Sequence, residues 1–385
     1  MELWQELLRQ SVDSSKDLVE RFGFEKELAE KLNKLFHTRI NPYYLSLIRY
    51  PGDPIWLQCV PDAAELVEDG FPEDPLNEEA DSPVPSITHR YPDRVLFLVT
   101  SQCSMYCRFC TRKRKVSDSS KINSKWIQDG INYIAAHPEV RDVVLSGGDP
   151  LMVTDYVLER ILAGLRAIPH VEIIRLGTKM PCVLPQRITP KLCKMIKKYH
   201  PIYVNTHFNH PWECTPEAER ACAMLADAGC PVGNQAVLMK GVNDDAEVML
   251  ELHRKLLKMR VRPYYIYQAD ITKGTNYFRT PVRVGLEIMD KLRGHTSGLA
   301  VPYYVIDAPG GGGKIPLLPQ YVLGRNGNDI LLRNFKYEVY TYPDVAETAP
   351  ELPVPEEKYM RKRNGQKKKA YVPKETEKEL ELVGK

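Results

Sequence analysis

Three cysteines follow one another closely in Cys103-Ser-Met-Tyr-Cys107-Arg-Phe-Cys110, directly after the apolar run Val95–Thr100. Thiols this near to each other, in a chain of 385 residues with nine cysteines, point to metal rather than to a disulfide scaffold. Cysteine thiolates are the usual ligands of iron–sulfur clusters. Three of them on a four-iron cube leave one iron open to a further ligand. Zinc is the other reading, and it would want a fourth Cys or His nearby; the closest histidine upstream is His89. The basic run Arg112-Lys113-Arg114 is expected to favour thiolates over thiols.

A second chemical signal is Lys314, which follows Gly310-Gly-Gly-Gly313. A lysine on a loop of such backbone freedom can cradle a phosphate, form a Schiff base with the aldehyde of pyridoxal phosphate (PLP), or simply be structural. The P-loop pattern is not met, because neither Ser nor Thr follows Lys314. Upstream, His89-Arg90-Tyr91-Pro92-Asp93-Arg94 could hold a phosphate, since arginine forks match its oxygens; Tyr267 could bond it too. Polar residues also end two of the apolar runs. Asn205-Thr-His207-Phe-Asn209-His210 and Asn234-Gln235 need partners if buried. Nucleoside and cofactor contacts would supply them, and so would ordinary core hydrogen bonds. Ser146-Gly147-Gly148-Asp149-Pro150 ends another run, where paired glycines allow close backbone approach to a ligand or a tight turn.

These residues need a scaffold, and the texture of the chain suggests one. From Val95 onward, short β-rich runs begin near Val143, Glu172, Ile202, Val232 and Pro263. Amphipathic stretches such as Asp155–Ala167, Pro216–Ala228 and Ala246–Met259 separate them. Strands alternating with helical patterns mean repeated βα units and a parallel sheet. Six such units are too few for the eight-strand barrel, so an open, partial barrel fits, with a doubly wound sheet as the alternative. Functional groups are then expected at the C-terminal ends of the strands. Residues 1 to 50 look helical, and 51 to 94 read as a long ordered loop. Further elements are a helix over 281–292, a strand over Val301–Asp307 and another over Leu331–Val339. The segments expected are 1–94, N-terminal and wrapping; 95–300, the barrel; 301–345, around Lys314; and 346–385, a charged tail that is solvated, touches a partner or ends in a helix near Glu375–Val383.

Composition bounds the rest. Hydrophobic content of 43% and charged content of 27% are those of a soluble globular enzyme. A net charge of +3 argues neither for nor against nucleic acid, and no nucleic-acid partner is expected. The N-terminus lacks the features of a signal peptide, and no apolar run is long enough for a membrane span. Cys59, Cys182, Cys193, Cys214, Cys222 and Cys230 read as small buried apolar residues, and a reducing cytoplasm is the expected compartment.

Taken together, several motifs resemble one family. They are the cysteine motif with Arg112-Lys-Arg, Ser146-Gly-Gly-Asp-Pro, Gly241-Val-Asn-Asp, Tyr264-Tyr-Ile-Tyr, Phe278-Arg-Thr-Pro, Arg293-Gly-His-Thr-Ser-Gly and Asp307-Ala-Pro-Gly-Gly-Gly-Gly-Lys314. Across residues 20 to 345 the chain resembles the lysine 2,3-aminomutases, PLP-dependent radical S-adenosylmethionine (SAM) enzymes. The resemblance implies an α/β fold, a partial (β/α)6 radical SAM barrel with an N-terminal helical segment and a C-terminal PLP-lysine segment. It implies that Cys103, Cys107 and Cys110 bind a [4Fe–4S] cluster, whose open iron chelates SAM. It places Ser146, Gly147, Gly148, Asp149, His207 and Gln235 at SAM and cofactor, and Arg90, Tyr91, Arg94 and Tyr267 at PLP. Lys314 would hold PLP as a Schiff base, Arg112 would meet the substrate α-carboxylate, and Asp270 and Asp307 would grip a distal ammonium. Paired carboxylates repel unless a cation lies between them, which favours lysine over glutamate; arginine, or lysine destined for attachment to an elongation factor, are the alternatives. The reaction implied is migration of the 2-amino group to C3, giving L-β-lysine, with electrons from a reductase or a flavodoxin- or ferredoxin-type donor. A homo-oligomer is expected. Known members carry a subunit-linking zinc site, whose first cysteine position is Asp245 here, and Cys230 is the last cysteine of the chain; no zinc site is expected.

Overall fold

A computed structural model describes residues 2–117 and 122–345. Short helices build the N-terminal segment: α1 (Leu3–Arg9), α2 (Ser15–Phe22), α3 (Lys26–Leu35), α4 (Pro42–Leu45) and α5 (Pro54–Cys59). Local chemistry sets their ends. The Ser14 hydroxyl accepts from Asp17 N to start α2, and Gly23, at φ 71°, stops it. Asn41 and Asp53 cap α4 and α5, each ahead of a proline at the first helical position. The stretch 51–94 is not one long loop. It holds α5, the 3-10 turns Ala63–Leu66 and Glu79–Asp81, and strand β1 (Ile87–Tyr91). The Asp and Pro residues that gave it a loop composition are the caps and first positions of these short elements.

The barrel sheet follows: β2 (Arg94–Thr100), β3 (Asp142–Gly147), β4 (Ile173–Gly177), β5 (Ile202–Thr206), β6 (Val232–Leu238), β7 (Arg262–Gln268), β8 (Tyr303–Ala308) and β9 (Gly313–Leu317). With β1 these form a nine-stranded sheet in sequence order. β2 through β8 pair in parallel, while β1 and β9 pair antiparallel at the two edges. The crossovers carry α6 (Ser124–Ala135), α7 (Asp155–Arg166), α8 (Met180–Val183) with α9 (Pro190–Ile196), α10 (Pro216–Asp227), α11 (Ala246–Lys258) and α12 (Val282–Leu292). The partial (β/α)6 barrel is therefore present, with β8 as a further parallel strand. Asn123, Thr154, Thr189, Thr215 and Asp245 each cap the following helix through a side-chain oxygen. Leu158, Leu162 and Leu165 of α7, and Leu252 and Leu256 of α11, bury the face turned to the sheet. Strand β6 alternates buried Val232, Asn234, Ala236 and Leu238 with half-buried Gly233, Gln235 and Val237, so one face meets the helices and the other the barrel interior. The two sheet edges are joined by one hydrogen bond, Lys314 N to the Tyr91 hydroxyl at 3.1 Å.

The chain divides into two compact units, Met1–Leu317 and Leu318–Lys385. The second unit contains an antiparallel meander of β10 (Val322–Asn326), β11 (Asp329–Arg333) and β12 (Val339–Pro343). The single strand expected over Leu331–Val339 is corrected. A turn at Asn334–Tyr337, with Tyr337 at φ 65°, interrupts that stretch. The tail from 346 and the helix expected near 375–383 lie outside the described residues.

The N-terminal segment is the bed on which the cysteine loop lies. Tyr106 N donates to Arg39 O at 3.1 Å and Arg108 N to Gln58 O at 2.9 Å. The Arg39 guanidinium donates to Gln102 Oε1 and to Cys103 O, and Asn41 Nδ2 donates to Ser104 O. Between the second and third cysteines, the fully buried Arg108 forks onto the fully buried Glu65, at 2.8 and 2.7 Å. Lys113 adds a third contact to Glu65 at 3.2 Å. Removing one partner of a buried pair strands the other charge, at a cost of about 3–5 kcal/mol. Glu65→Gln is therefore expected to lower the unfolding free energy by an amount of that order, read as a lower denaturant midpoint. Replacing all three charges, Glu65→Leu with Arg108→Met and Lys113→Met, should recover much of it. Equal destabilisation by the single and triple variants would show that the pair is not the anchor.

Candidate active site

One cavity of about 570 Å³ opens on the barrel interior and takes in nearly all of the residues singled out above. Its wall includes Cys103, Cys107 and Cys110, the Ser146–Asp149 turn, His207, Gln235, Tyr267, Asp270 and Asp307. It also includes Lys314 with Arg90, Tyr91, Arg94 and Arg112. The cysteine loop leaves β2, the Gly-Gly turn leaves β3 and His207 follows β5, so the C-terminal strand ends supply this chemistry as expected.

Burial opposes the basic run at these thiols, although the charges of Arg112 and Lys113 still draw Cys110 toward the thiolate. Burial pushes the Cys107 thiol up to about 12 and raises Cys103 and Cys110 too. The nearby cations are engaged elsewhere. Arg112 forks onto Glu78 at 2.8 and 3.0 Å, and Arg114 pairs with Asp74 and Glu78. Thiols raised this way become thiolates when metal replaces the proton. Three of them line one cavity, a donor set of the type that holds an iron–sulfur cluster. His89 is turned away, with Nδ1 2.8 Å from the Tyr133 hydroxyl.

The paired glycines answer to the cysteine loop. A Cβ on Gly147 would stand 2.0 Å from Thr100 O, and one on Gly148 2.3 Å from Gln102 O. The turn is pinned there by Gly148 N to Thr100 O and Asp149 N to Gln102 O. Asp149 is a brace as well as part of the wall. It accepts from the Thr178 hydroxyl, Leu151 N and Lys179 N, at 2.7 to 3.0 Å. The polar strand ends separate into two groups. Asn205, His207 and Gln235 reach the cavity. Asn234 instead bonds both backbone groups of Phe208, and Asn209 bonds Val237 N and Gln58. Burial holds the His207 imidazole down to about 4, so it is neutral at pH 7.

Lys314 sits on a strand, not on a loop. Pro309 and Gly310–Gly312 make the hairpin turn, with Gly310 and Gly311 at φ 73° and 93°. Lys314 lies on β9 directly across from Asp307 on β8. Their side chains meet at 3.0 Å between Nζ and Oδ2, while the buried Oδ1 of Asp307 has no hydrogen-bond partner. Nζ also lies 5.6 Å from the Tyr267 ring and 5.9 Å from the Tyr91 ring. Asp270 is next to this pair. Burial, then the charge of Asp307, pushes its carboxyl up to about 7. Of the arginines expected at a phosphate, Arg94 is half-buried and stacked on Tyr91 at 3.9 Å, while Arg90 is held by Asp81 and Leu76 O.

Several contributors escaped the sequence reading. Glu78 and Glu65 came from the acidic stretch taken as a loop, and Lys179 donates to His207 O and Glu213 beside the cavity. An arginine set between cluster thiols was a signal, since a buried guanidinium needs a carboxylate; which carboxylate was not readable.

The chain matches the Radical SAM superfamily over residues 97–253 and Lysine-2,3-aminomutase over residues 289–381. L-lysine 2,3-aminomutase of Fusobacterium nucleatum is 52% identical, over 92% of this chain and 85% of its own length. L-lysine 2,3-aminomutase of Clostridium subterminale is 52% identical, over 90% of this chain and 85% of its own. Glutamate 2,3-aminomutase of Clostridioides difficile is 48% identical, over 86% of this chain and 80% of its own. The radical SAM match implies an iron–sulfur cluster and SAM, and the three cavity thiols fit that requirement.

Gly148→Ala is expected to cost about 1–3 kcal/mol, because backbone on both sides must shift. It should also lower the iron bound per chain after anaerobic reconstitution. Full iron occupancy and an unchanged melting temperature would refute the close-approach account.

Proposed function

The chain belongs to the lysine 2,3-aminomutase family of radical SAM enzymes, and from that premise we propose that it converts L-lysine to L-β-lysine. The observation that carries the choice of substrate is the pair Asp270 and Asp307. One carboxylate has a buried, unpartnered oxygen, and the other is raised to about 7 by burial and by its neighbour. A cation placed between them relieves both conditions. The γ-carboxylate of glutamate would add a third like charge there.

Cys103, Cys107 and Cys110 would hold the [4Fe–4S] cluster, with the Ser146–Asp149 turn, His207 and Gln235 around SAM. Lys314 would anchor PLP, with Arg90, Tyr91, Arg94 and Tyr267 about its ring and phosphate. When bound, cluster and SAM together supply a hydrogen-abstracting radical, and PLP supplies the carbonyl carbon that carries the migrating nitrogen. The protein's own residues bind and orient. Arg112 keeps Nη1 free of partners among the described residues while Glu78 fixes Nε and Nη2, so the N–H groups of Nη1 remain for the α-carboxylate. Asp307 already holds one amine, that of Lys314. Release of that amine frees its oxygen for the substrate ε-ammonium. Asp270 holds a proton below neutral pH and gives it up as a cation arrives. The walls exclude water and stray hydrogen donors from reacting carbon. The electron donor is taken to be a flavodoxin- or ferredoxin-type protein or a reductase, and the chain a cytoplasmic homo-oligomer. Nine free cysteines support a reducing compartment. No helix among the described residues is long and apolar enough to cross a membrane.

The test is anaerobic assay of the reconstituted chain with SAM, PLP, dithionite and L-lysine, read as β-lysine by mass spectrometry, with glutamate in parallel. SAM cleavage without an isomerised amino acid would overturn the assignment. The pH dependence has a defined sign. The lysine ε-ammonium stays charged from about pH 6 to 8, while Asp270 ionises near 7. KM for lysine should therefore rise about tenfold per unit as pH falls below about 7. Asp270→Asn should flatten that limb; a profile unchanged by the substitution would remove Asp270 from the site. Asp307→Asn should lower kcat/KM by a factor corresponding to about 2–5 kcal/mol.

A further inference from the structure

Beyond Asp270 and Asp307 lies a second cavity of about 250 Å³. Its wall is mainly apolar, with Leu76, Ile271, Val282 and Ile306, and its polar members besides the two carboxylates are Gln268, Thr280 and the exposed Arg279. It shares Leu76, Gln268, Ala269, Asp270 and Asp307 with the larger cavity, so the two carboxylates stand at the partition between them. Two buried oxygens on its walls have no hydrogen-bond partner, Asp307 Oδ1 and the Thr280 hydroxyl. A cation held by the carboxylates from the catalytic side would thus face a mainly apolar space on its far side, with Arg279 at its exposed rim. A water occupies roughly 30 Å³, which is also about the size of a methyl group, so there is room for more than one.

We propose that the site also takes lysine carrying one or two methyl groups on its ε-nitrogen, the methyl groups lodging in the cavity behind Asp270 and Asp307. The inference rests on the assignment of these carboxylates to the substrate ammonium. The chemistry is selective. Mono- and dimethylation keep the positive charge and leave at least one N–H to donate to a carboxylate. Acetylation removes the charge, and a neutral amide between two carboxylates leaves their repulsion uncompensated. Trimethylation keeps the charge but removes every donor. The products are the corresponding ε-methylated β-lysines, formed by the same migration of the 2-amino group, because C2 and C3 are untouched.

The reconstituted holoenzyme is assayed with L-lysine, N6-methyl-L-lysine, N6,N6-dimethyl-L-lysine and N6-acetyl-L-lysine, each scored for its β-isomer by mass spectrometry. Binding is followed separately, by the change in the pyridoxal absorbance band when each amino acid displaces Lys314. The expected result is turnover of both methylated lysines within about tenfold of lysine, with neither isomer nor band change from acetyl-lysine. Val282→Phe, at the partly exposed start of α12, narrows the second cavity away from the carboxylates. It should leave lysine turnover unchanged and lower that of N6-methyl-lysine at least about tenfold. Turnover of lysine alone, with no band change from its methylated forms, would overturn the inference and leave the lysine assignment standing. Methyl-lysine turnover undiminished in Val282→Phe would also overturn it, by removing the cavity from the explanation. Absence of turnover with lysine itself would bring down the functional assignment and this inference together.

Discussion

The loop that carries the three cysteines is fixed by a buried ion pair whose carboxylate comes from outside the barrel. Arg108 lies between Cys107 and Cys110, and Glu65 belongs to the N-terminal segment. A buried pair adds little stability over an apolar substitute, but it is unforgiving of geometry, because neither charge can be left alone. The pair therefore fixes where the thiols stand more than how tightly the chain holds together. The backbone bonds from Tyr106 to Arg39 and from Arg108 to Gln58 act in the same sense. The Gly147–Gly148 turn then packs onto that loop so closely that no side chain fits between them. The cluster loop is set from below by the N-terminal segment and from the side by β3. The Gly147–Gly148 backbone and the three thiols are thereby placed relative to each other by protein contacts alone.

Charge in the cavity is arranged in advance. Each cation assigned to substrate or cofactor already faces a carboxylate: Arg112 faces Glu78, Lys314 faces Asp307 and Arg90 faces Asp81. A low-dielectric cavity could not hold these groups unpaired. The pairs differ in what they leave open. Glu78 accepts from two nitrogens of Arg112, whereas Asp307 uses one oxygen for Lys314 and keeps the other without a donor. The first pairing leaves the Nη1 donors of Arg112 free, and the second leaves an acceptor. An amino acid with a carboxylate at one end and an ammonium at the other complements that arrangement in polarity as well as in charge.

Much of this was legible in the sequence. The alternation of β-rich runs with amphipathic stretches gave the βα crossovers, because both periods are set by local geometry. The cysteine spacing brought three thiols to one cavity wall, since residues close in sequence are close in space. Contacts across long separations were not legible. Arg108 and Glu65, or Arg112 and Glu78, are brought together by the path of the chain, and their residue types alone name no partner. The short capped elements between residues 51 and 94 were hidden because their punctuation is that of loops. Lys314 was misplaced for a related reason. Four glycines imply freedom at the lysine, yet they form the turn that lets the lysine enter a strand opposite Asp307. The two glycines after Ser146 were read as allowing either close approach to a ligand or a tight turn, and the backbone oxygens of Thr100 and Gln102 supply a reason for the turn that residue types alone could not name.

The Tyr91–Lys314 hydrogen bond joins residues 223 positions apart, at the first and last strands of the sheet. Contacts of such separation carry the largest loop-closure cost and form late. As the chain leaves the ribosome, β1 and the cysteine loop emerge well before the strand that completes their surroundings. The wall that encloses the radical chemistry is therefore absent until synthesis has passed Lys314. The three thiols are thus made before the strand that closes the cavity around them.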